Sequence, residues 1–141
     1  MDTKLEEKLN KIENLIKKPS VTEEKIVTRH PLFRRRLDPL TGEFLVERSP
    51  LTGFITEIVM SWPNGCEDLI TGENLVGMSF GHGSIHVTPT KKLLYLNNIT
   101  VPFRNLHEPI VKGEDIWVRI ENGDGINPHE ISTICTIIGV E

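Results

Sequence analysis

The spacing of apolar residues changes at Pro50, and few architectures accommodate both halves. Before it, Leu5, Leu9, Ile12 and Ile16 recur at intervals of four, three and four residues. A basic stretch punctuated by Pro19, Pro31, Pro39 and Pro50 follows. After it, apolar and polar residues alternate in short runs separated by Gly, Pro and Asn turns. The first pattern is the a/d seam of a helix. The second is the period of strands that bury one face. The break divides the chain into a coiled-coil helix over residues 1–18, an extended basic arm over 19–50 and a β-domain over 51–141.

Two heptads make a helix that is barely stable alone, since isolated helices shorter than about 12–15 residues are marginal. The seam of Leu5, Leu9, Ile12 and Ile16 therefore needs a cover. It could pack on its own domain, join helices of other subunits, or be disordered or bound to a partner; the intersubunit bundle is the preferred reading. In the arm, Pro39-Leu40-Thr41-Gly42 returns as Pro50-Leu51-Thr52-Gly53, and a Pro with a Gly shortly after it suits a reverse turn. Residues 44–47 between the two turns could form one strand of a small hairpin. So long an irregular stretch in so short a chain is expected to wrap a neighbour. Its docking residues would be Phe33, Arg34, Arg35 and Arg36, because apolar anchors beside arginines suit a protein surface better than a phosphate backbone.

In the β-domain, residues 54–62 predict a strand with Phe54, Ile58, Met60 and Trp62 on one face. Further short strands are expected at 75–80, 84–87, 92–96, 99–103, 116–121 and 131–138. In 116–121 the alternation is regular, with Ile116, Val118 and Ile120 facing in. The last strand is apolar on both sides: Ile131, Cys135 and Ile137 point one way, Ile134 and Ile138 the other. A strand buried on both faces needs two covers, so Ile134 and Ile138 join the candidate oligomerisation residues. The fold class is mainly β: an antiparallel β-sandwich or jelly roll preceded by the helix and arm.

The 141 residues suffice for one domain with a core, and 38% hydrophobic with 26% charged residues is a soluble globular composition. The net charge of −4 is uneven: residues 1–50 carry 11 Lys/Arg against 9 Asp/Glu, and residues 51–141 carry 5 against 11. An acidic β-domain is a poor match for nucleic acid, which requires clustered cations. No apolar run has the length of a membrane span or a secretion signal, so the expected sites are the cytoplasm before assembly and an assembled particle after it. Cys66 and Cys135 have no metal-ligand spacing; a disulfide is open, and two buried thiols acting as small hydrophobes are preferred.

Chemistry finds little support. His82 and His86 would converge on a metal on a helix, but Gly81 and Gly83 oppose one. Along one strand they would stand about 13 Å apart at about 3.3 Å per residue. The close His pair and following Glu of cupin metalloenzymes are absent. Glu121, Asn122, Asp124 and Glu130 could offer oxygens to calcium, yet match no EF-hand spacing. No nucleophile triad has recognisable local context and no phosphate loop occurs. The expectation is no enzyme activity, no cofactor and no metal. Trp62, Tyr95 and Trp117 are the candidate ligand platform, for sugar stacking. Aromatics are only 6% of the chain, which favours core packing or interface anchoring for them instead.

The segment EPIVKGEDIWVRIENGDGINPHEISTICTIIGV, residues 108–140, resembles the closing strands of trimeric jelly-roll modules, in which a Lys-Gly-Glu-Asp turn feeds a long alternating strand. With its helix and basic arm, the chain's layout is similar to that of virion-associated proteins such as phage head-decoration or fibre subunits. The resemblance implies a structural homo-oligomer, a trimer, docked on a capsid and located in the virion. The runner-up is a carbohydrate-binding sandwich module, and the third reading a cupin-like metalloenzyme.

Overall fold

The computed structural model describes residues 3–17, 25–88 and 92–141. The chain is mainly β, with two antiparallel sheets and one helix, α1 (Thr3–Lys17). The strands are β1 (Val27–Arg29), β2 (Leu32–Leu37), β3 (Gly42–Arg48), β4 (Thr52–Trp62), β5 (Val76–His82), β6 (Ile85–Thr88), β7 (Leu94–Tyr95), β8 (Ile99–Phe103), β9 (Glu108–Ile110), β10 (Asp115–Asn122) and β11 (His129–Val140). In the first sheet β11 and β4 are central. β1 and β2 share the outer edge of β11, and β8 and β9 share the outer edge of β4. In the second, β10 and β5 are central, β3 takes one edge, and β6 and β7 share the other. Pro31 interrupts the edge between β1 and β2, while Pro102 and Pro109 sit in the edge strands β8 and β9. Proline has no N–H for a ladder and is tolerated at edges.

The sheets face each other across one core. Ile55, Ile58, Met60 and Trp62 of β4 and Ile131, Cys135 and Ile137 of β11 meet Val76, Met78 and Phe80 of β5 and Ile116, Val118 and Ile120 of β10. Phe33 and Leu37 close one side. Much of the stretch read as an arm, residues 27–48, forms β1, β2 and β3, distributed over both sheets. Its alternation was masked by the prolines and by exposed arginines at edge positions, where only one side chain in several is buried.

Residues 54 and 58 do not share a face. Glu57 pairs with Thr136 but Ile55 with Ile137, which leaves Thr56 as an extra residue, a β-bulge. The bulge turns Phe54 outward, where it packs with Ile138 and Val140 beneath Leu5, Leu9 and Ile12 of α1. The helical seam thus covers the chain's own sheet, the second cover that β11 required. The helix backbone includes Ile16, but the position of its side chain lies outside the described residues. Ile134, further along the same outer face, remains 39% exposed.

Gly53 and Gly139 are cross-strand partners in β4 and β11, and a Cβ on either would overlap the opposite backbone. Gly139→Ala should therefore cost about 2–3 kcal/mol, the upper range for overpacking. Gly125→Ala, where an added Cβ meets nothing, should cost less than about 0.5 kcal/mol. Urea midpoints at unchanged slope check both; equal costs would contradict the close approach.

Candidate functional site: a loop end over a buried polar network

Three connections meet at one end of the sandwich: the β2–β3 turn, the long β4–β5 loop and the β10–β11 loop. Their backbones are tied by side chains. Asn122 Nδ2 donates to the carbonyls of Leu37 (3.2 Å), Asp38 (3.3 Å) and Asn127 (3.1 Å). Asn122 Oδ1 accepts from Asp124 N at 2.9 Å. Asp124 Oδ1 accepts from the amides of Ile126 (2.8 Å) and Asn127 (3.1 Å), and its carbonyl accepts from Leu40 N at 3.1 Å. In the β4–β5 loop, Asp68 Oδ1 accepts from Ile70 N (2.8 Å) and Thr71 N (3.0 Å). These are the aspartate and asparagine turn devices that hold irregular backbone.

Beneath them Cys66, His129 and Asp124 stand in line, all buried. His129 Nε2 faces Asp124 Oδ2 at 2.8 Å and Nδ1 faces Cys66 Sγ at 3.8 Å. The order is that of a nucleophile, base and orienting acid. Its electrostatics oppose that use. Burial, and secondly the charge of Asp124, push the Cys66 thiol up to about 11, whereas a reactive cysteine needs a lowered value and access to substrate. Cys66 has no exposed surface. The hydrogen bond from His129, aided by the Ile126 and Asn127 amides, holds the Asp124 carboxyl down at about 2. The trio fastens the β4–β5 loop to the start of β11.

What the network holds up is apolar. Leu40, Leu69, Ile70 and Ile126 are 72, 96, 95 and 82% exposed, one from the first loop, two from the second and one from the third. Leu40 also takes a left-handed backbone at φ 55°, a conformation that costs a non-glycine residue about 1–2 kcal/mol. No Lys or Arg occurs in residues 38–41, 63–75 or 123–128, whereas Asp38, Glu67, Asp68 and Glu73 do. The end is an apolar tip with an acidic rim.

The residues singled out in the sequence are dispersed. Phe33 is buried in the core with its ring edge-on to Phe80 at 6.4 Å, so it is not a surface anchor. Arg34, Arg35 and Arg36 are exposed on β2, with Arg34 beside Glu130 at 3.3 Å and Arg35 beside Glu43 at 2.9 Å. Trp62 is buried and donates from Nε1 to the Val76 carbonyl at 2.9 Å, which removes it from any platform. Trp117 and Tyr95 do share the outer face of the second sheet. Trp117 lies over Gly81, stacked by Phe44 at 5.2 Å and met edge-on by His86 at 5.0 Å. Tyr95 lies over Gly77 and donates to Glu121 at 3.2 Å.

His82 and His86 sit on adjacent strands of the β5–β6 hairpin, with His86 opposite Gly81, rather than along one strand. His82 is buried, with Nδ1 on Glu114 and Nε2 on Glu108 at 2.8 Å. His86 is exposed on the opposite face, so the two point apart. Among the described residues no group of three or more His, Cys, Asp or Glu is placed to hold a metal ion, and no helix is long and apolar enough to cross a membrane. Cys66 and Cys135 are both free and buried, and burial pushes Cys135 up to about 12.

Two outcomes test this site. Asp124 has a folded value below its ordinary 3.8, so it stabilises the fold above pH about 4, and that contribution is lost as pH falls towards about 2. Asp124→Asn should lower stability at neutral pH and flatten the acid limb in that window, read from urea midpoints; an unchanged acid limb would remove Asp124 from the network's charge balance. Native protein should resist iodoacetamide at Cys66 for hours, with labelling after unfolding seen by mass spectrometry. Rapid native labelling would restore the nucleophile reading.

No protein-family model matches the sequence, and comparison with curated proteins finds no match. Among solved structures the chain is similar to one described under "Bacillus endospore appendages form a novel family of disulfide-linked pili". The TM-score is 0.44 and the identity 12%, covering 84% of this chain and 92% of that one.

Proposed function

We propose that this chain is a non-enzymatic structural subunit with a jelly-roll fold. It assembles with further copies through its loop end, in a particle of the virion-decoration or fibre kind. The strand order supports the fold. Counting β1 with β2, β6 with β7 and β8 with β9 as single positions, the sheets read 1-8-3-6 and 2-7-4-5, the interleaved order of a double-sheet jelly roll. The observation that carries the function is the exposure of Leu40, Leu69, Ile70 and Ile126 on three hydrogen-bonded loops of one end. Single exposed leucines are ordinary, but several at one end of a domain suit an interaction site. Covering one such side chain contributes about 1.5–3 kcal/mol.

A carbohydrate-binding role is the second reading. It is favoured by the exposed Phe44 ring on Trp117 beside a cleft of about 450 Å³ that Glu43, Arg119 and Glu121 also line. A glycan array separates the two. Light scattering across a dilution series tests the first: an oligomer at micromolar concentration, a trimer if the contact closes at three, is expected. A monomer at every soluble concentration would overturn it.

A further inference from the structure

The loop end has a counterpart at the other end of the same molecule. β11 runs from His129, within the polar network, to Val140, roughly 36 Å away at about 3.3 Å per residue. Two clefts flank that far end. One, of about 380 Å³, is lined by Lys8, Lys11 and Lys112 around Ile12, Val111 and Val140. The other, of about 430 Å³, is lined by Lys25 and Arg29 around Val27 and Val140. Among the described residues Glu141 is the one acid lining either, and it pairs with Arg29 at 2.6 Å. Each cleft is an apolar floor with a cationic rim, the complement in both shape and charge of the apolar tip with its acidic rim.

Resting on the assembly reading above, we infer that the partner of the loop end is the cationic cleft region of a second copy, so that subunits join head to tail. Leu69 and Ile70 fill the cleft while Glu67, Asp68 and Glu73 face Lys8, Lys112 and Lys25. Opposite charge fixes polarity and disfavours the symmetric tip-to-tip alternative, in which two acidic rims would meet. An anionic lipid surface is disfavoured by the same rim. A head-to-tail contact is heterologous: it closes into a ring if the rotation permits and otherwise propagates.

Polarity provides the test. The double variant Leu69→Asp with Ile70→Asp disables the tip, and Lys8→Glu with Lys112→Glu disables the cleft. All four positions are exposed, and circular dichroism checks that both variants fold. Each alone should need roughly a hundredfold higher concentration to assemble, from lost burial or reversed charge. Mixed in equal amounts at the highest soluble concentration, they should form a 1:1 heterodimer that grows no further, because one intact tip remains for one intact cleft. Sedimentation velocity reads this directly. If the mixture stays monomeric while the wild type assembles, head-to-tail pairing is overturned and assembly through the loop end stands; if both variants assemble like the wild type, head-to-tail pairing and assembly through the loop end are both overturned. If the wild type is itself monomeric, the assembly reading falls as well.

Discussion

The pairing of β4 with β11 is the contact on which the rest of the structure depends. These two long strands lie at the centre of the first sheet, and edge strands attach to both. Their backbones approach so closely at Gly53 and Gly139 that no side chain fits there. A few residues on, the Thr56 bulge changes which residues face inward. Ile55 then enters the core and Phe54 leaves it, and the displaced Phe54 becomes the seat of α1. One inserted residue therefore decides where the N-terminal helix is stored.

The two ends of the sandwich are built alike and charged differently. Each holds a buried histidine against acidic groups: His129 on Asp124 at the loop end, His82 on Glu108 and Glu114 at the other. Buried polar groups are costly unless hydrogen-bonded; His82 meets acids 26 and 32 residues away, while His129 closes one turn onto Asp124 and reaches back 63 residues to Cys66. The loop end then projects aliphatic tips above its network, while the far end gathers lysines and Arg29 around half-buried valines.

The alternation of Ile116, Val118 and Ile120, and that of Ile131, Cys135 and Ile137, was legible because the strands are central and bury one face regularly. The seam of Leu5, Leu9 and Ile12 was legible as a face needing cover, but the covering residue Phe54 was assigned inward, since a bulge leaves no signature in alternation. β2 was hidden because Phe33 and Leu37 are buried among exposed arginines. The Cys66–His129 and His82–Glu114 contacts span 63 and 32 residues, so no local motif announces them. Only Asp124 and His129, across one turn, carried a short-range hint. Leu69 and Ile70 carry no signal in the sequence, because exposure depends on the fold around them.

The central claim is that the two ends, and not the aromatic face, are the contact surfaces. Hydrogen–deuterium exchange on the chain above and below its assembly concentration tests it most directly. The account predicts that amides in residues 66–75 and 123–127, in α1 and at 138–141 slow together on assembly, while those of β3, β6 and β7 keep their rates. Protection confined to β3, β6 and β7, with both ends unchanged, would contradict it.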